Sequence, residues 1–181
     1  IASSIELILT LHGLLMSFGG IPLLYYGDEI GTVNNDAFIL DAAKAKDSRW
    51  LNRPTYDWSR VAQRSVRGSV EQRIFDGIKH LIAVRKSMCA FADFNNRELI
   101  AVNNEHLFVF TRNSLAGARE YVLVVTNFND QPQHLDLGDL GNRHHFSMGR
   151  LQDVISGETP VQSGESLVIP PYAHYWLVAS N

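Results

Sequence analysis

The sequence has few of the residues that crosslink or anchor a protein. Its 181 residues include one cysteine, Cys89, so no intrachain disulfide can form, and we expect a reducing, cytoplasmic location. The longest apolar stretch, residues 5–18, is interrupted by Glu6 and His12 and is too short and too polar to span a bilayer. The first residue is Ile1 rather than methionine, so the sequence neither shows nor excludes a signal peptide.

Runs of one charge and metal-binding spacings are also missing. The formal net charge is -3 with acids and bases interspersed, which argues against nucleic acid as a partner. The seven histidines form no His-x-x-x-His pair, and the neighbours His144 and His145 would point to opposite faces of a strand. We therefore predict no metal site and no cofactor.

The beginning of the chain reads as a helix followed by a strand. Ser3 and Glu6 have the spacing of a capping box, and the following helix to residue 18 is apolar on nearly every side. Two glycines end it, and residues 21–26 form a short, continuous apolar run that predicts a buried strand between parallel neighbours. This alternation is typical of a parallel sheet or barrel.

The middle of the chain predicts a long loop and a second helix. Residues 28–68 are polar, contain scattered aromatic side chains and show no sustained period, which favours an ordered, functional loop. A second capping box, formed by Ser69 and Gln72, predicts a helix over residues 70–86 with one apolar face. Its last turns are basic, which suits the helix dipole.

After residue 92 the apolar period changes to two. Turn residues separate the candidate strands, and short strands at this spacing predict an antiparallel sandwich. The fold class is therefore α+β, with a first domain over residues 1–92 and a β-sandwich domain over residues 93–181. The predicted strands are residues 98–102, 107–111, 121–127, 133–137, 151–153, 166–169 and 175–179.

Two motifs resemble a known family. The run from Gly20 to Gly31, GIPLLYYGDEIG, resembles the last barrel strand of glycoside hydrolase family 13, the α-amylase superfamily. The run from Asp47 to Pro54, DSRWLNRP, resembles amylosucrases and related sucrose hydrolases. The resemblance implies that residues 1–92 are helix 7, strand 8, a long loop and helix 8 of a catalytic (β/α)8 barrel. It implies sucrose and α-glucan as partners of the intact, retaining enzyme.

The resemblance also suggests site residues. In amylosucrases the arginine of the second motif pairs with an acid from elsewhere in the barrel at the base of the sugar pocket, which implies a substrate-binding role for Arg49. Asp28, following the predicted strand, is a second candidate for substrate binding. Asp28 and Glu29 are adjacent, so they can instead hold neighbouring loops, and they are not a retaining glycosidase pair.

The resemblance places the three catalytic carboxylates of the family before residue 1, which implies no catalytic residue here and an inert chain. Asn52 stands where the motif would have histidine, and the Arg53-Pro54…Trp58 pattern also occurs in α-glucosidases and trehalose synthases.

A different class of protein is a separate carbohydrate-binding or structural sandwich. Tyr172, Tyr175 and Trp176 could then form a sugar platform, although their alternation favours a core.

An unpaired strand over residues 21–26 would expose its backbone groups and apolar side chains. We therefore expect the residues before Ser69 to be rearranged, or to be buried against a second copy of the chain. The sandwich after residue 97 should fold as in the family.

Overall fold

The computed structural model describes residues 2–114, 120–140 and 151–179. The chain forms two compact units, one made of residues 1–22 with 78–181 and the other of residues 23–77. The predicted domain boundary between residues 92 and 93 stays a prediction. Among the described residues, no helix combines the length and apolar character needed to cross a membrane.

The helices largely follow the predicted pattern. Helix α1 spans Ala2–Phe18 and helix α3 spans Val70–Ser87. The Ser69 hydroxyl accepts a hydrogen bond from the Gln72 N–H at 3.0 Å, which confirms the second capping box. The first capping box is wrong, because α1 begins before Ser3 and this serine lies inside the helix. A short helix, α2, spans Trp58–Gln63 within the predicted loop.

The strands confirm the antiparallel prediction. Strands β1, β2, β3, β8 and β5 form one sheet in that order, and β4, β7 and β6 form a second. Every described strand pair is antiparallel. All seven predicted strands are present, together with an unpredicted β6 and a short helix, α4, over Leu137–Leu140. The strands are β1 Arg97–Ile100, β2 Leu107–Ser114, β3 Glu120–Asn127, β4 Gln133–Asp136, β5 Leu151–Asp153, β6 Gln162–Ser163, β7 Ser166–Ile169 and β8 His174–Ala179.

One core joins the two sheets. Val109 and Val125 are register partners in the larger sheet, and they belong to the same buried cluster as Leu135 and Ile169 of the smaller sheet. Side chains two residues apart point to the same face of a strand, so the apolar alternation buries one face of each sheet against the other. The sandwich prediction is confirmed.

Helix α1 covers the opposite face of the larger sheet. The Phe18 ring contacts the Phe110 ring edge-on at a centroid distance of 5.5 Å. Gly13 faces the His174 ring so closely that an added Cβ would overlap it, which explains a glycine in mid-helix. The strands β2 and β3 are therefore buried on both faces, which accounts for the unbroken apolar runs at residues 107–110 and 121–125.

The predicted strand over residues 21–26 is wrong. The segment is not in a strand, and among the described residues no strand pairs with it. Ile21 and Leu23 are 81% and 75% exposed. A strand forms only where a neighbour satisfies its backbone groups, and residues 2–114, 120–140 and 151–179 supply none there. The expectation that the residues before Ser69 are rearranged, or are buried against a second copy of the chain, stays a prediction.

Candidate functional site

Asp28 begins a single turn of 3₁₀ helix, Asp28–Ile30, that follows the exposed segment. Gly27 and Gly31 flank this turn with φ values of 94° and 61°, a backbone conformation that favours glycine. The Asp28 carboxylate accepts a hydrogen bond from the Tyr25 N–H at 3.2 Å. This contact holds the turn, and a role of Asp28 in substrate binding stays a prediction.

Glu29 connects two parts of the loop. One carboxylate oxygen accepts a hydrogen bond from the Gly27 N–H at 2.8 Å, and the other accepts one from the Tyr56 hydroxyl. The hydrogen bond to Glu29 is the main cause that raises the pKa of Tyr56. The Glu29 side chain therefore holds neighbouring parts of the loop, which is the alternative role that the sequence suggested for Asp28 and Glu29. It fixes Tyr56 to a turn that lies 27 residues earlier.

Arg60 braces the same turn from α2. Its Nη2 donates to the carbonyl oxygens of Ile30 and Gly31, each at 3.2 Å, and its Nε donates to Glu71 at 2.9 Å. The N-terminus of α2 is itself fixed, because the Asp57 carboxylate accepts hydrogen bonds from the N–H groups of Ser59 and Arg60. The loop is thus ordered by side-chain bonds, as its composition predicted.

Arg49 lies on the surface in the 3₁₀ helix Ser48–Asn52. Its guanidinium binds Asp47 in a bidentate manner, with Nε–Oδ1 and Nη2–Oδ2 distances of 2.8 Å each. The Arg49 side chain is 71% exposed. Its hydrogen bond is also the first cause that lowers the pKa of Asp47. The acid paired with Arg49 in this chain is therefore a local one, and a role in substrate binding stays a prediction.

Four aromatic side chains, Tyr25, Tyr26, Tyr56 and Trp58, form a group that we call the aromatic cluster. Consecutive ring centroids are 4.6, 6.0 and 5.0 Å apart in that order. The Tyr26 hydroxyl donates to the Pro54 carbonyl at 3.2 Å, so this ring is also tied down. Trp58, the first residue of α2, is 74% exposed.

The sequence interpretation missed this cluster. It assigned the two consecutive tyrosines to a buried strand and the other two rings to the loop, so nothing predicted their contact. A signal was present, since aromatic residues are unusually frequent in this segment. Only the turn at Asp28 and the bond between Glu29 and Tyr56 bring the rings together.

The other candidate platform is part of the core. Trp176 is fully buried, its ring lies 4.6 Å from the Phe91 ring, and its Nε1 donates to His174 Nε2 at 2.7 Å. A ring without an exposed face cannot stack on a sugar, so the core interpretation of this residue is confirmed. Within the described residues no group of three metal-binding side chains occurs, and His144 and His145 lie outside them.

The sandwich is similar to a known domain family. Residues 97–176 match the family described as Maltogenic Amylase, C-terminal domain. This range contains seven of the eight described strands and the first three residues of β8. The match agrees with the prediction of a β-sandwich that belongs to the α-amylase superfamily.

Solved structures resemble nearly the whole chain. The structure of AmyP in complex with maltose is similar over 96% of this chain with a TM-score of 0.68 and 14% identity. Trehalulose synthase MutB from Pseudomonas mesoacidophila MX-45 is similar over 96% with a TM-score of 0.61 and 16% identity. An inactive double mutant of MutB in complex with isomaltulose covers 94% at 17% identity, with a TM-score of 0.61.

These similarities concern the fold. The chain spans 34% of AmyP and 38% of MutB, about a third of each. Helices followed by antiparallel sheets match the C-terminal region of family-13 enzymes. The predicted α+β class is thus confirmed, and the resemblance extends to the α-amylase superfamily rather than to amylosucrases in particular.

Proposed function

We propose that this chain is the C-terminal part of a family-13 enzyme that acts on sucrose by retaining α-glucosyl transfer or hydrolysis, as amylosucrases do. The observation that carries the superfamily assignment is the agreement of helices and sheets along 96% of the chain with AmyP and MutB. The choice of sucrose rests on the run from Asp47 to Pro54. AmyP and MutB were solved with maltose and isomaltulose, which are disaccharides like sucrose.

In this proposal the chain borders the sugar and does not perform the chemistry. Retaining hydrolysis requires two carboxyl groups about 5 Å apart on opposite sides of the bond to be cleaved. Glu29 is unsuited to this role, because both of its carboxylate oxygens hold the loop. The catalytic acids would therefore come from another part of the whole enzyme.

Arg49 has the properties of a group that can exchange partners. Its pair with Asp47 is exposed, and exposed ion pairs contribute little to stability, so a second carboxylate can compete for the guanidinium. The planar fork binds one carboxylate with two bonds and remains charged at every physiological pH. In the whole enzyme, we propose, it pairs with an acid at the base of the sugar pocket, and Asp28 lines the same pocket.

One alternative is another enzyme of the same class, and a second belongs to a different class of protein. An α-glucosidase or trehalose synthase would share the Arg53-Pro54…Trp58 pattern and act on other glucosides. A separate carbohydrate-binding sandwich would require exposed aromatic faces on the strands, and buried Trp176 disfavours it. The sandwich is better explained as a structural domain, because its apolar side chains pack between the sheets and against α1.

The experiment that tests the proposal begins with the reading frame upstream of Ile1. The protein encoded by the whole frame is incubated separately with sucrose and maltose, and released glucose and fructose are measured. We expect activity on sucrose, and a strong loss of kcat/KM for sucrose when Arg49 is replaced by alanine. Arg67→Ala, at another exposed arginine of the same unit, is the matched control. Activity on maltose alone would favour the α-glucosidase alternative.

We also propose a cytoplasmic location, on the basis of the single, free Cys89, and self-association through the exposed apolar segment at Ile21 and Leu23. Light scattering on the purified chain measures its molar mass and so tests for self-association. A monomer at all concentrations would contradict it.

A further inference from the structure

The aromatic cluster combines the two kinds of group that a sugar requires. A pyranose ring presents apolar C–H faces, which pack on aromatic rings, and hydroxyl groups, which need hydrogen-bonding partners. Trp58 offers an indole that is 74% exposed, and Tyr25 and Tyr26 are each 44% exposed. The exposed side chains of Arg53 and Asp57 flank these rings in the sequence.

The cluster is held in place before any ligand arrives. Tyr56 is bonded to Glu29, and Tyr26 is bonded to the Pro54 carbonyl. The backbone at Trp58 is fixed by the Asp57 cap, whose carboxylate accepts from Ser59 N at 2.9 Å. Rings with few free torsions on a fixed backbone lose little entropy when they bind, which favours binding by a surface of this kind.

The charged residues around the rings disfavour a dry protein contact. A tightly packed interface core is depleted of charged side chains, whereas Arg53 and Asp57 next to the cluster are both exposed. Removing these charges from water would cost free energy. A hydroxylated ligand avoids this cost, because it brings its own donors and acceptors and leaves the charged groups partly in water.

We infer that the aromatic cluster is a binding surface for α-linked glucose disaccharides and oligosaccharides, with Trp58 as the main stacking residue. The choice of sugar as ligand class rests on the proposed function, and AmyP and MutB, which resemble this chain, hold disaccharides. Glu29 is a positioning residue in this surface, because it orients Tyr56 against the Trp58 ring at a centroid distance of 5.0 Å.

The test uses the three tryptophans of the chain as internal reporters. The 181-residue protein, labelled with ¹⁵N, is titrated with maltose and with maltotriose while the three indole N–H resonances are followed. The Trp58 signal should shift and saturate. The Trp176 signal should stay, because that indole is buried and bonded to His174.

Three variants separate stacking from a general effect. Trp58→Ala should weaken maltotriose binding by about fivefold or more, which corresponds to the loss of one aromatic contact. Leu40→Ala is the matched control, since it removes another exposed apolar side chain, 85% accessible, from the same unit. It should leave the affinity unchanged. Glu29→Ala should weaken binding less than Trp58→Ala does, while far-ultraviolet circular dichroism confirms that each variant is folded.

Three results would overturn the inference. The first is the absence of a saturable Trp58 shift, and the second is an equal shift of all three indoles. The third is a Trp58 side chain already shielded from acrylamide quenching in a dimer, which would mean that a second copy occupies the surface. None of these results bears on sucrose cleavage by the longer protein, so the two proposals can fail separately.

Discussion

Arg112 on β2 is a fully buried cation whose described hydrogen bonds all go to neutral oxygens. Its Nη1 donates to the Ser17 carbonyl at the end of α1, and its Nε donates to Asn96 Oδ1, each at a distance of 2.5 Å. Its Nη2 donates to the Asp93 carbonyl. Burial is the main cause that lowers its pKa to about 10, so the group is still charged at neutral pH. The guanidinium joins α1, the segment before β1 and the large sheet.

Replacing Arg112 by methionine should destabilise the chain by about 2–4 kcal/mol, because it leaves buried acceptors without donors. Arg112→Lys should also destabilise it, since an ammonium cannot span three acceptors with the geometry of the fork. Urea denaturation measures both. A methionine variant as stable as the parent would mean that burying the charge costs as much as its hydrogen bonds contribute.

His174 is enclosed by Trp176, Thr126 and Gly13. Because Trp176 Nε1 donates to Nε2, that nitrogen acts as an acceptor, and the proton of the neutral ring then lies on Nδ1 beside the Thr126 hydroxyl, 2.8 Å away. Desolvation is the main cause that lowers the pKa of His174 to about 3. The folded protein therefore holds this imidazole neutral.

Folding stability should fall as the pH is lowered below about 6.5. His174 binds a proton with a pKa near 6.5 in the unfolded chain, whereas its pKa in the folded chain is about 3. Between these values, protonation of His174 favours the unfolded chain. The limiting slope is about 1.4 kcal/mol per pH unit, and the residual solvent exposure of His174 keeps the slope smaller. Urea unfolding between pH 5 and 7 measures it. His174→Gln should flatten the dependence, and equal slopes in both proteins would contradict this account.

At the scale of elements, α3 shows how a local signal starts a helix. The Ser69 hydroxyl accepts from Gln72 N, while the Gln72 side chain accepts from Gly68 N at 3.2 Å. Ser69 also donates to the Gln63 carbonyl at 2.7 Å, which ties the loop to the helix start. Such a cap satisfies backbone donors that the first helical turn leaves free.

Substituting Ser69 by alanine should destabilise the chain by about 1 kcal/mol, because the cap is lost and the Gln63 carbonyl loses its donor. Ser4→Ala is the control, at an exposed serine within α1, where alanine is the better helix former. Thermal unfolding followed at 222 nm should show a lower midpoint for the first variant only. Equal midpoints would show that the cap contributes nothing measurable.

At the scale of the whole molecule, the chain spans about a third of the proteins that it resembles, and the proposal assigns catalysis to the rest. The purified 181-residue protein should therefore release no reducing sugar from sucrose or maltooligosaccharides. Without a nucleophile and an acid there is no route through a covalent glycosyl intermediate. Sugar release that follows the protein through purification, and exceeds a mock preparation, would refute this prediction.

Sequence alone determined the elements whose signals are local. Alternating apolar residues predicted seven of the eight described strands, because side-chain direction repeats every two residues in any strand. The glycines after α1 and the Ser69–Gln72 pair likewise predicted the end of one helix and the start of another. These signals depend on neighbours within a few residues, so they can be recognised without knowing the rest of the fold.

Only the tertiary structure decided what depends on distant partners. The run over residues 21–26 has the sequence of a buried strand, yet it forms no strand, because no strand in the described part of the chain pairs with its backbone groups. The aromatic cluster exists because Glu29 reaches Tyr56, and Arg49 is paired with Asp47 rather than with a distant acid. Such contacts join residues across turns whose geometry no local period encodes, and they decide which side chains reach solvent and a ligand.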